Sequence, residues 1–99
     1  MGELLLNVRD TEKGRLVSVC DADLLGETFE EGDLSLSVNA DFYDGEAADE
    51  QTIVENLANC TTANIVGTEA VELAVEHGLI EEDKVLDIDG TRHAQLLWM

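Results

Sequence analysis

The chain has no proline, two cysteines, four aromatic residues and only five lysines and arginines among its 99 residues. Each scarcity excludes something. With no proline, no repeat and no low-complexity stretch there is no sign of a linker, so residues 1–99 are expected to form one domain. Cys20 and Cys60 are too few for a disulfide framework, and their apolar surroundings predict buried free thiols. Together with His77 and His93 they offer no close ligand pair, so no metal site is expected. No apolar run reaches the length of a bilayer crossing. No basic segment leads into a long apolar one, so the chain is expected to be cytoplasmic with no membrane contact. A phosphate-binding glycine loop, a nucleophile elbow and a dinucleotide fingerprint are all missing. No cofactor is therefore expected, and no catalytic residue is assigned.

The scarcity of cations has a counterpart. Asp and Glu number 23 against five Lys and Arg, giving a formal charge of −18. Such bias usually accompanies disorder. Here the carboxylates interrupt well-patterned apolar segments instead of replacing them, and Leu, Ile, Val and Phe make up 29 of the 99 residues. The expectation is a folded domain adapted to molar salt, where the screening length falls to about 3 Å and self-repulsion largely disappears, ahead of the alternative of an acidic protein made for a basic partner. In that setting overall acidity says little about partners. In dilute salt it would argue against nucleic acid.

Local patterns predict an α+β domain. Leu4, Leu6 and Val8 alternate with Leu5, Asn7 and Arg9 at strand period, and Arg15 to Cys20 forms a second strand after the turn at Asp10–Gly14. Asp21 to Gly26 reads as a short turn of helix capped by Asp21. Leu34, Leu36 and Val38 are expected inward on a third strand, with Ser35 and Ser37 outward. Asp49 is the expected cap of a helix from Glu50, carrying Ile53, Leu57 and Cys60 on one stripe. The stretch 61–67 is left between helix and loop. Thr68 is expected to cap a second helix ending at Gly78. Asp89-Gly90 predicts a two-residue hairpin turn that sets Ile88 opposite Thr91, Asp87 opposite Arg92, Leu86 opposite His93 and Lys84 opposite Gln95. The expected architecture is a mostly antiparallel sheet of about five strands, in the order β-β-β-α-α-β-β, with two helices packed on it.

Four groups of residues carry a family likeness: Cys20-Asp21 with Leu25-Gly26, Phe42-Tyr43-Asp44-Gly45, Ala63-Asn64-Ile65-Val66-Gly67, and His93-Ala94-Gln95. In this order and spacing the chain resembles the archaeal family known as domain of unknown function 424, over nearly its whole length. The resemblance implies a stand-alone archaeal cytosolic domain. It brings no activity, substrate or catalytic residue.

The candidate site residues are Tyr43, Asn64, Gly67, His93 and Gln95, with Trp98 as a candidate interface residue. Phe42 is expected to plug the core, and Tyr43 either does the same or stacks on a base or partner. Asn64 and Gly67 either finish a helix end or frame an anion pocket at the start of the next helix. His93 with Gln95 is either a hydrogen-bonding site, with His93 as general base, or a satisfied histidine on a strand. Asp87-Ile-Asp89-Gly90 lacks the glutamate of a calcium loop and is better explained by the hairpin. Leu96 to Met99 must pack on the domain itself or on another molecule. With no complete catalytic set, and with the RNA- or ribosome-related role that the family resemblance suggests, the expectation is a non-enzymatic binding module in information processing, associated with RNA or a ribonucleoprotein. The alternatives are a small enzyme using His93 as base, and an adaptor or oligomer built through the C-terminal strand.

Overall fold

The computed structural model describes residues 3–98. The side chain of Phe42, expected in the core, lies outside what is described, as does Met99. Strands β1 (Leu4–Thr11) and β2 (Gly14–Asp21) form the expected antiparallel hairpin, in register from Leu4 opposite Asp21 to Thr11 opposite Gly14. A single 3-10 turn at Ala22–Leu24 follows. Among the described residues, strands β3 (Thr28–Glu31) and β4 (Leu34–Ser37) pair only with each other. One turn of helix, α1 (Ala40–Tyr43), is capped by Asn39, and β5 is the two-residue strand Glu46–Ala47. Helix α2 (Glu50–Ala58) starts as its sequence predicts: Asp49 Oδ1 accepts the Thr52 N–H at 2.8 Å. Strand β6 (Thr62–Val66) leads into α3 (Thr68–Glu76). A 3-10 turn at Glu82–Lys84 precedes the closing hairpin of β7 (Leu86–Ile88) and β8 (Thr91–Leu97). Its turn places Asp89 at φ 52° and Gly90 at φ 81°, the pair of left-handed residues that such a turn requires.

The large sheet has the order β5-β1-β2-β6-β8-β7. Only the β2–β6 pairing is parallel, so the fold is α+β with a mostly antiparallel sheet, as expected. The difference lies at 62–66. This segment is neither helix nor loop but a central strand, flanked by β2 and β8. Its Ala63 and Ile65 are buried on one face and Val66 on the other. A strand buried on both faces loses the alternation that reveals strands in a sequence.

One core lies between the sheet and the two longer helices. Val17, Val19, Ala63, Ile65, Ala94 and Leu96 meet Ile53 and Leu57 of α2 and Ala70, Val71 and Ala74 of α3. Each large aliphatic side chain fully buried there contributes about 1.5–3 kcal/mol. A second, smaller core on the opposite face gathers Cys20, Val66 and Ile88 with Leu36, Val38 and Tyr43. The two free thiols, Cys20 and Cys60, are buried in different cores.

Several local expectations are corrected. Leu34 is 51% exposed, because the β3–β4 hairpin buries only its Leu36 position. Lys84 stands in the 3-10 turn, so it does not pair with Gln95. Asp87 does face Arg92 in register, but Arg92 makes its ion pair with Glu82, and Asp87 Oδ1 instead accepts the Gly90 N–H at 3.1 Å. Asp21 makes no side-chain bond to its own short turn, and Thr68 is the first helical residue of α3 instead of its cap.

Candidate functional site

The two faces of the sheet differ in charge. Alternation and register assign Leu5, Asn7 and Arg9 of β1, Leu16, Ser18 and Cys20 of β2, Thr62, Asn64 and Val66 of β6, His93, Gln95 and Leu97 of β8, and Leu86 and Ile88 of β7 to the face opposite α2 and α3. None is acidic, although 23 of the 99 residues are Asp or Glu. The acidic residues within the strands of this sheet, Asp10, Asp21, Glu46 and Asp87, all fall on the helix face. Burial explains the upper part of the acid-free face, which the β3–β4 hairpin and α1 cover. Asn7 and Arg9 extend that cover by donating to the Asp44 and Asp41 carbonyls of α1 and its cap. Burial does not explain the rest. Leu16, Thr62, Asn64 and His93 are half-buried, and Gln95, Leu97 and Leu86 are exposed.

Register aligns Asn7, Ser18, Asn64 and Gln95 as one polar row across β1, β2, β6 and β8. Gln95 Nε2 donates to Asn64 Oδ1 at 3.0 Å. That bond leaves the Asn64 amide N–H and the Gln95 carbonyl oxygen free among the described residues. An adjacent donor and acceptor match the complementary pair on a peptide group or a nucleobase edge. His93 sits in the next row, opposite Val66 and Leu86. Burial holds its pKa below the ordinary histidine value, so the ring is neutral at pH 7. Among the described residues no carboxylate hydrogen-bonds or pairs with it to orient or polarise it.

The structure brings Asn64, Gln95 and His93 together, and it places Gly67 and Tyr43 elsewhere. Gly67 is the N-cap position of α3 at φ 112°, and a Cβ there would fall 2.3 Å from Asp21 Cγ. The space is occupied because the Asp21 carboxylate caps α3 from the end of β2. Oδ1 accepts the Ala70 N–H at 2.9 Å and Oδ2 the Glu69 N–H at 3.3 Å. Burial pushes the Asp21 carboxyl above its ordinary value, while these two donors pull it down. The helix start, one of whose two readings is an anion pocket, is filled by the chain's own carboxylate, and Asn64 lies on the other side of the sheet.

Tyr43 is 5% exposed in the smaller core and is no stacking platform. Burial, with a smaller contribution from Cys20 nearby, pushes its hydroxyl up to about 12. Trp98 lies at the end of α2, where its Nε1 donates to the Leu57 carbonyl at 2.9 Å, yet 44% of it is exposed. On the helix face, a groove of about 680 Å³ is lined by Glu50, Glu69, Glu72, Glu76 and Glu82 beside Arg92, an acidic surface in contact with solvent. No cluster of three or more metal-ligating side chains occurs among the described residues. No helix among the described residues is long and apolar enough to cross a membrane. The members of the open part of this face that sequence reasoning missed are Leu16, Thr62 and Leu86. Their signal was the absence of acid at alternate positions.

Comparison with known proteins agrees with this picture of the fold. A crystal structure of an uncharacterized conserved protein from Methanopyrus kandleri is similar, with a TM-score of 0.78 and 25% sequence identity, covering 98% of this chain and 95% of that one. No curated protein matches the chain. The family model described as "Protein of unknown function (DUF424)" matches residues 8–99, and the chain belongs to that family.

Proposed function

We propose that the protein is a non-enzymatic binding module of an archaeal, salt-adapted cytoplasm, and that the acid-free half of its sheet is the contact surface. The observation that carries this reading is that, among the described residues, no strand position on the part of this face left uncovered by the β3–β4 hairpin and α1 is acidic, in a chain of charge −18. A hydrated acidic coat keeps a protein soluble, and a surface without it is free to be desolvated. Leu16, Leu86 and Leu97 around the Asn64–Gln95 amides have the composition of a protein-contact core, apolar with paired amides and depleted of charge.

RNA or a ribonucleoprotein is the second reading. The free donor and acceptor of Asn64 and Gln95 favour it, because such a pair reads base edges without phosphate contacts. Phosphate contacts lose most of their worth in molar salt in any case. The burial of Tyr43 leaves it unable to stack on a base. Affinity purification in molar potassium chloride, with and without nuclease, separates the two. A defined set of proteins retained after nuclease supports the leading reading. Loss of everything with nuclease supports the second. Recovery of the bare chain alone refutes both.

A further inference from the structure

Strand β8 is longer than the strand covering its outer side. β7 pairs with it only at Thr91, Arg92 and His93, whereas β6 pairs along it from His93 to Leu97. The ladder fixes which way each main-chain group points. The Gly67 N–H donates to the Arg92 carbonyl at 2.9 Å and the Trp98 N–H to the Thr61 carbonyl at 3.0 Å. Alternation then turns the groups of Ala94 and Leu96 toward β6 and those of Gln95 and Leu97 away from it. Among the described residues no backbone group meets them there. The stretch 94–98 carries neither charge nor proline, the usual guards of an exposed edge. A groove of about 390 Å³ runs beside it, with Leu79, Ile80 and Leu96 in its lining, and Leu97 is 62% exposed.

We propose that this edge pairs with the same edge of a second copy, antiparallel about Leu96. Gln95 then lies opposite Leu97 of the copy, and Leu97 opposite its Gln95. This register turns the free N–H and C=O groups of both residues toward their counterparts in the copy. The lengths also match, because the open stretch on each copy stops where Leu86 begins. Charge favours the same occupant. The charged residues lining the groove are Glu81 and Lys84, one of each sign. A two-fold axis makes such a lining self-complementary. It offers a cationic peptide no net negative charge, although the chain as a whole carries −18. A two-fold perpendicular to the sheet keeps both acid-free faces on one side of a continuous sheet. This pairing does not depend on what docks there.

The test is sedimentation equilibrium in molar potassium chloride over a hundredfold concentration range. The wild type should approach twice its 10.8 kDa mass at the upper end. Leu97→Pro removes an N–H that faces away from β6, so it should stay folded by circular dichroism and sediment as a monomer. Should that variant fail to fold, Leu97→Lys puts a charge on the same edge and should also sediment as a monomer. Hydrogen exchange at the Gln95 and Leu97 amides should slow as concentration rises. A wild type that is monomeric throughout, or a dimer that a folded edge variant retains, overturns the proposal.

Discussion

The capping of α3 by a strand carboxylate makes a quantitative prediction. Asp21→Ala removes the acceptor of two N–H groups at the start of the helix. Ala70 is buried, so its N–H is left unpaired, while the longer bond to exposed Glu69 is readily replaced by water. Losing a cap of this kind costs about 2 kcal/mol. For a domain of this size that lowers the melting temperature by about 10 °C. Gly67→Ala attacks the same contact from the other side. Its new Cβ would sit 2.3 Å from Asp21 Cγ on a backbone with φ 112°. Clash and strain together cost about 2–4 kcal/mol. The double variant relieves the clash but not the strain, so its loss should fall short of the sum by about 1 kcal/mol. The sign of the pH dependence also follows. Because the folded carboxyl titrates above its ordinary value, the folded state holds that proton more tightly than the unfolded chain does. Stability relative to Asp21→Asn should therefore fall as pH rises from the ordinary aspartate value through the raised one. The assay is thermal and denaturant unfolding by circular dichroism at constant molar potassium chloride. If Asp21→Ala melts within about 2 °C of wild type, or the double variant is additive, the reasoning is refuted.

Three further outcomes are expected. Tyr43 is the only tyrosine, so an ultraviolet titration should show no tyrosinate until pH approaches its raised value of about 12, and Cys20, pushed up to about 11, should react with thiol reagents only as fast as the protein opens. Nuclear magnetic resonance should place the His93 midpoint below 6.5. The unfolded chain takes that proton more readily, so the His93 contribution to stability should be full above the unfolded value and decline as pH falls through it. The melting temperature should drop steeply when potassium chloride is diluted from molar to millimolar, because a charge of −18 is then no longer screened. An unchanged melting point would remove salt adaptation as the reason for the acidity.

Much of the fold was legible because local chemistry and tertiary structure agree. Asp89-Gly90 fixes the closing turn, and Asp49 caps α2 where its position predicts. The parts that were not legible share one cause, which is that a distant segment supplies the deciding contact. Strand β6 looks ambiguous until β2 and β8 flank it, because Ala63, Ile65 and Val66 are buried on both sides. The α3 cap comes from Asp21, 49 positions before Ala70. Asn64 and Gln95 belong to separate sequence motifs, and only the β6–β8 register sets them opposite each other, where they bond. Gly67, in the motif of Asn64, and Tyr43, in a motif of its own, serve helix capping and packing. The clearest mark of the face, the lack of acid at residues 16, 18 and 20, 62, 64 and 66, and 93, 95 and 97, was present in the sequence. It becomes visible only once those three segments are known to be neighbours.

The central claim is that the acid-free sheet face makes contact while the carboxylates serve the solvent. Its most direct measurement compares partner retention by Gln95→Glu and Thr62→Glu, which place a carboxylate on that face, with retention by Glu72→Gln, which removes one from the helix-side groove. In molar potassium chloride the two face variants should stay folded and lose the molecules that wild type retains, and Glu72→Gln should keep them. Retention unaffected by the face variants, or abolished by Glu72→Gln, would contradict the account.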